Sequence, residues 1–168
     1  MQYKFSRRTA LTVLFFSMTL IAVAQNAVQT KYNNSSVYTG IEVGSKGVKM
    51  SIIEIGKNAQ STGAFNILKD TSVNTDFISF SPSTFAATLE GLTGLYTRAT
   101  RDLKIPGKKV FTVISSGVKM QAEKENKTAL VKELIDSFRM RIGEPDKIVE
   151  VVDVMQEARL SHLGIVPD

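Results

Sequence analysis

Residues 39–56 read T-G-I-E-V-G-S-K-G-V-K-M-S-I-I-E-I-G, and this stretch decides the fold. Thr39 to Val43 alternates around apolar Ile41 and Val43. Gly44-Ser45-Lys46-Gly47 breaks the alternation, and Val48 to Ile55 resumes it with Ile52, Ile53 and Ile55. Two β-rich runs joined by a short loop containing Gly predict a hairpin. Its turn gathers backbone N–H groups, a hydroxyl and an ammonium, a concave set of donors that suits an anion, phosphate above all. An ordinary glycine-containing turn has the same composition, so the local sequence leaves both readings open.

The rest of the composition narrows what such a turn can serve. A chain of 168 residues, 43% hydrophobic and 22% charged, is long enough for one domain with a real core. It has no cysteine, which excludes disulfides, thiolate metal sites and a Cys nucleophile. With one histidine, His162, there is no basis for a His-rich metal site. The net charge is +5, but Lys4, Arg7 and Arg8 lie in the first 24 residues, which hold no acid; the remainder is close to neutral. The basic balance therefore reads as a targeting feature, and nucleic acid is not an expected partner.

Residues 1–24 have the pattern of a secretory signal: the basic run, an apolar stretch from Ala10 to Val23, then Ala22-Val23-Ala24 before Gln25. The stretch is short for the roughly 20 residues of a spanning helix. A retained anchor is the alternative, and only then is a membrane a partner. The chain is expected to be exported, to a periplasmic or secreted location, or, in the alternative, to stay membrane-anchored by residues 10–24. Polar residues 25–36 are expected to form a flexible lead-in.

After the hairpin, Gly63 to Leu68 predicts a third strand, and Lys69 to Thr75 a polar loop. Ser81-Pro82 starts a helix, Ser as N-cap and Pro at the first position. Phe85, Leu89, Leu92, Tyr96, Ala99 and Leu103 then recur at helical spacing. Lys109 to Ser115 is a strand of the buried type, closed by Ser115-Ser116-Gly117. The charged run from Glu123 to Lys127 reads as solvated. Asn126 or Thr128 is expected to cap a second helix bearing Leu130, Val131, Leu134, Ile135 and Phe138 on one face. Ile148 to Val152 predicts a further strand, and Met155 to Leu163 a short helix. The order β-β-β-α-β-α-β-α implies an α/β fold with a mixed sheet of about five strands and helices on its faces. That is the layout of a ribonuclease-H-like lobe of the actin-like ATPase superfamily.

Three stretches together resemble the exopolyphosphatase and guanosine pentaphosphate phosphatase family of that superfamily. Gly40-Ile41-Glu42-Val43-Gly44-Ser45 is similar to the family's first phosphate motif, D-[IL]-G-S-N. Val113 to Lys119 (V-I-S-S-G-V-K) resembles its A-T-x-A-x-R segment, and Glu157 to Gly164 (E-A-R-L-S-H-L-G) its E-A-R-L-x-x-x-G segment. The resemblance runs from about Val37 to the end and covers the family's first lobe. Residues 37–168 are thus expected to be an N-terminal lobe that is incomplete as an active site. The second phosphate motif, D-x-G-G-G-S, would follow Asp168, and a second lobe, or a homodimer partner, would close the cleft.

The resemblance implies roles by position. Glu42 stands where the family has an Asp that organises Mg²⁺ or its waters. Gly44, Ser45 and Lys46 would line the phosphate turn, and Lys119 stands where an Arg contacts phosphate. Glu157 stands where the catalytic glutamate positions or deprotonates the attacking water. The implied activity is release of terminal phosphate from polyphosphate or another phosphate-bearing ligand with Mg²⁺ assistance. The departures are specific. Glu42 adds a methylene to the Asp, Lys46 replaces an Asn, Lys119 lacks the planar fork of Arg, and Asp153-Val154 replaces Ser-Gly. They motivate an alternative: an exported module that binds a phosphate-bearing ligand or assembles with a protein without turnover.

Overall fold

The computed structural model describes residues 28–165; residues 1–24, where the sequence suggests an export signal, lie outside them. The predicted hairpin is present. β1 (Ser36–Val43) and β2 (Gly47–Ile55) pair antiparallel in continuous register from Ser36 opposite Ile55 to Val43 opposite Val48. The turn between them is closed by the Gly44 N–H donating to the Gly47 carbonyl at 2.8 Å. A one-turn helix α1 (Ala59–Thr62) leads into β3 (Phe65–Asn74), antiparallel to β2. β3 carries one extra residue, Leu68, against the Ile52–Ile53 step of β2.

The loop expected over Lys69 to Thr75 is strand as far as Asn74. Its polar residues are tolerated because β3 is the sheet's edge, where side chains and one row of backbone groups meet water.

Helix α2 (Pro82–Thr97) begins as expected. The Ser81 hydroxyl accepts the Thr84 N–H at 3.2 Å, and the Thr84 hydroxyl accepts the Ser81 N–H at 3.2 Å, a reciprocal cap. A π-helical turn, Arg98–Asp102, ends it. β4 (Val110–Ile114) runs parallel to β1, Thr39 facing Val110. Then comes a helix that the sequence reading did not anticipate, α3 (Ser116–Lys124). It is short and buries only Val118 and Ala122, one turn apart, so it has no stripe to detect. Helix α4 (Thr128–Ile142) follows, with Lys127 at the capping position and no side-chain cap, so neither Asn126 nor Thr128 plays that part. β5 (Glu150–Val151) is shorter than the expected 148–152 strand and parallel to β4; α5 (Val154–Ile165) completes the fold. The order across the sheet is β3-β2-β1-β4-β5.

One face of the sheet is the core. Ile41, Val43, Val48, Met50, Ile52, Val110 and Ile114 are buried against α2, α3 and α4, which contribute Leu92, Val118, Leu134 and Phe138. Tyr96 and Phe138 meet edge to face at 5.5 Å, joining α2 to α4. The other face is largely open: Phe65, Ile67 and Phe111 are each 57% exposed. Among the described residues no helix is long and apolar enough to cross a membrane.

The chain enters this fold through a latch. Glu54, at the far end of β2, is fully buried and accepts the N–H groups of Lys31 and Tyr32, both at 2.7 Å, and the Ser35 hydroxyl at 2.7 Å. Burial works against its charge, yet these donors together with Asn66 outweigh it and hold the carboxyl below its ordinary 4.5. The later part of the 25–36 lead-in is thus tied to the sheet.

Candidate functional site at the carboxyl ends of β1 and β4

In an α/β sheet, ligands bind beyond the carboxyl ends of the parallel strands, where helix N-termini point inward. Here β1 and β4 end side by side, the Ser115 N–H donating to the Val43 carbonyl at 3.0 Å. Past that point the chain makes two moves at once. β1 enters the 44–47 turn, and β4 enters α3 at Ser116-Gly117. The two are in close approach: a Cβ on Gly117 would lie 3.1 Å from the Ser45 hydroxyl. A glycine there lets the helix N-terminus come up to the turn.

Glu157 reaches the same place from the third side. It lies in the first turn of α5, whose entry is fixed by Asp153. The Asp153 carboxylate accepts the Gln156 N–H at 2.8 Å, and the Gln156 side chain accepts the Asp153 N–H at 2.9 Å. So held, Glu157 accepts the Ser116 N–H at 3.1 Å. Its carboxylate occupies the spot at the α3 N-terminus where the helix dipole and free N–H groups favour an anion.

A cavity of about 350 Å³ opens beside this contact. Glu42, Lys49, Ser51, Ser115, Glu157 and Leu160 are among its walls. Glu42 points to the sheet's open face because its neighbours Ile41 and Val43 point to the core. Lys49 stands directly opposite Glu42 in the hairpin register, a separation at which charged cross-strand pairs interact.

The expected site residues therefore divide. Glu42 and Glu157 share the cavity, and Ser45 lies beside the α3 N-terminus. Gly44 spends its N–H on closing the turn. Lys46 is 86% exposed and lies 3.5 Å from Asp76, whose other carboxylate oxygen takes the Ser79 hydroxyl. Those partners, the Ser79 hydroxyl first, hold Asp76 below its ordinary range. Lys119 points elsewhere, to within 3.9 Å of Asp153, and lines a separate groove between α3 and α4. Lys49 and Ser51 were not singled out from the sequence. The signal that finds them is the turn itself, because a four-residue closure by Gly44 and Gly47 sets Lys49 against Glu42.

For a metal, the donor set offers two carboxylates on one cavity. Among the described residues no group of three or more His, Cys, Asp or Glu gathers around one point. Two hard oxygen donors fit Mg²⁺, which takes one or two carboxylates and completes its shell with water and substrate phosphate. Lys49 beside Glu42 brings a competing positive charge to the same wall.

The five-stranded mixed sheet in the order β3-β2-β1-β4-β5 has the ribonuclease-H-like fold seen in actin-like ATPase lobes. The fold matches that of one lobe of the Ppx/GppA structures. The Aquifex aeolicus member of the Ppx/GppA protein family superposes with a TM-score of 0.60 at 17% identity, over 78% of this chain and 39% of that one. An exopolyphosphatase from Cytophaga hutchinsonii gives 0.53 at 16% identity, over 74% and 36%. An exopolyphosphatase-like protein gives 0.54 at 15% identity, over 76% and 36%. The chain thus spans well under half the length of the structures it matches. No family model matches the sequence, and no curated protein does.

Proposed function

We propose that this lobe belongs to a phosphoanhydride hydrolase of exopolyphosphatase type and supplies the front half of its active site. The observation that carries the reading is the convergence of Glu42, Glu157 and the α3 N-terminus on one cavity at the strand ends. Phosphoryl transfer needs N–H donors and positive charge around the transferred group and a carboxylate to position the attacking water. The Ser116 N–H and Lys49 would bind phosphate, with Ser45 at the rim. Glu157, displaced from Ser116 by the incoming anion, would orient the water and accept its proton. Mg²⁺, held by Glu42 and the substrate oxygens, would neutralise charge on the phosphates. The remaining donors would come from a second lobe or a second copy of the chain.

The test is phosphate release from long-chain polyphosphate by the full-length natural protein. Glu157→Gln, which keeps the shape and removes the base, is expected to lower turnover by roughly 10² to 10⁴. Undiminished release by that variant would end the assignment.

A second reading rests on the ion pairs. Lys46 and Lys119, the two cations expected at the phosphates, are turned to Asp76 and Asp153. An exported module that binds a phosphate-bearing ligand without turnover would tolerate this. Polyphosphate affinity without phosphate release, in the wild-type protein, distinguishes it from the first reading.

A further inference from the structure

The end of the molecule opposite the site carries unbalanced positive charge. The starts of β1 and β4, the β2–β3 turn, the close of α2 and the close of α4 all lie there, as the strand registers require. Lys57, Arg98, Arg101, Lys104, Lys108 and Arg141 come from these segments, and none has an ion-pair partner among the described residues. Five are exposed and Arg98 is half-buried. Against these six cations stand four carboxylates, Glu54 buried in the latch, Glu144 accepting the Tyr96 hydroxyl at 2.6 Å, Asp102 and Asp146, so the excess is positive. Arg98 and Arg141 also complement the C-terminal ends of helices. Lys57 sits on the β2–β3 turn, Lys104 just past the C-terminal end of the helical segment that closes α2, and Lys108 in a one-turn 3-10 helix, Gly107–Lys109. Lys104 even holds a left-handed backbone, φ 58°, a conformation that suits glycine or asparagine better.

The way into the fold is at this same end, through Lys31 and Tyr32 on Glu54. The apolar run Ala10–Val23 precedes that point. Seven residues, 24–30, separate Val23 from Lys31, so a bilayer that holds this run would lie a short tether from the basic end. We infer that the basic end formed by the 57, 98–108 and 141 segments is a docking surface for anionic lipid headgroups. It would hold the site at the far end, facing away from the membrane. The chemistry is long-range attraction to a negative surface, additive over cations within a Debye length.

The test is co-sedimentation of the full chain with vesicles of phosphatidylcholine alone and of phosphatidylcholine mixed with phosphatidylglycerol. Lys57→Gln/Lys104→Gln/Lys108→Gln is compared with a control of equal charge change elsewhere, Lys69→Gln/Lys124→Gln/Lys127→Gln. The N-terminal cations are common to both and cancel. Expected are tighter binding to the anionic vesicles, a loss on the order of a hundredfold in the first variant, and little change in the control. Equal loss in the two variants, no loss in the first, or no preference for anionic vesicles would each overturn the proposal.

Discussion

Gly47 shows how tightly the site end is built. A Cβ there would stand 2.2 Å from the Val73 carbonyl oxygen and 3.0 Å from its carbon, and that backbone belongs to the paired strand β3. Neither neighbour has room to move without breaking the sheet. Gly47→Ala is expected to lower stability by about 1–3 kcal/mol, seen as an earlier thermal unfolding transition with the fold retained below it. Glu54 governs the opposite end. Its carboxyl is held below 4.5, so its stabilising contribution is complete above that pH and is lost as the pH falls through the lowered folded-state value. On acidification the amides of Lys31 and Tyr32 should lose protection against hydrogen exchange while those of β1 and β2 keep theirs. Glu54→Gln should reproduce that pattern at neutral pH, and unchanged protection in the variant would count against the latch.

At the scale of the elements, α5 is the least secured. Residues 154–160 are all exposed, and the helix is placed by the Asp153 cap and the Glu157 contact to Ser116. Asp153→Ala removes the cap, at a cost of about 1 kcal/mol, and frees Lys119 as well. The expected result is faster amide exchange throughout α5 with α2 unchanged. Phosphate release should fall too if Glu157 acts from the first turn of α5. The two behave differently because α2 carries both a reciprocal cap and a buried stripe of Leu89, Leu92 and Tyr96. The same contrast explains what was legible from residues alone. The hairpin and α2 announce themselves, one by period-two alternation broken by glycines, the other by Ser81-Pro82 and the long stripe. α3 buries two residues, and the outer half of β3 is polar because it faces water at an edge; neither leaves a periodic trace. Glu42 and Glu157 became candidates through motif resemblance. Lys49 required knowing that the hairpin closes in four residues, and the turning of Lys46 and Lys119 toward Asp76 and Asp153 depends on loops brought together by the fold.

At the scale of the molecule, the two ends are chemically unlike. Carboxylates and a helix N-terminus converge at one, and cations without an ion-pair partner among the described residues spread over the other. The sheet's central joint is the parallel pairing of β1 with β4, Thr39 against Val110. Between these partners the chain makes β2, β3 and the whole of α2. A chain emerging from the ribosome can therefore form the β1–β3 meander early but cannot finish it. Until Val110 to Ile114 and the helices that follow have appeared, Ile41, Val43, Met50 and Ile52 lack much of their cover. Non-local pairing of this kind delays closure, and a nascent chain in that state presents a sticky, half-made surface. Were residues 1–24 to direct export, as their pattern suggests, that delay would have a use: a polypeptide that cannot close its core until late is one that a translocation channel can still thread.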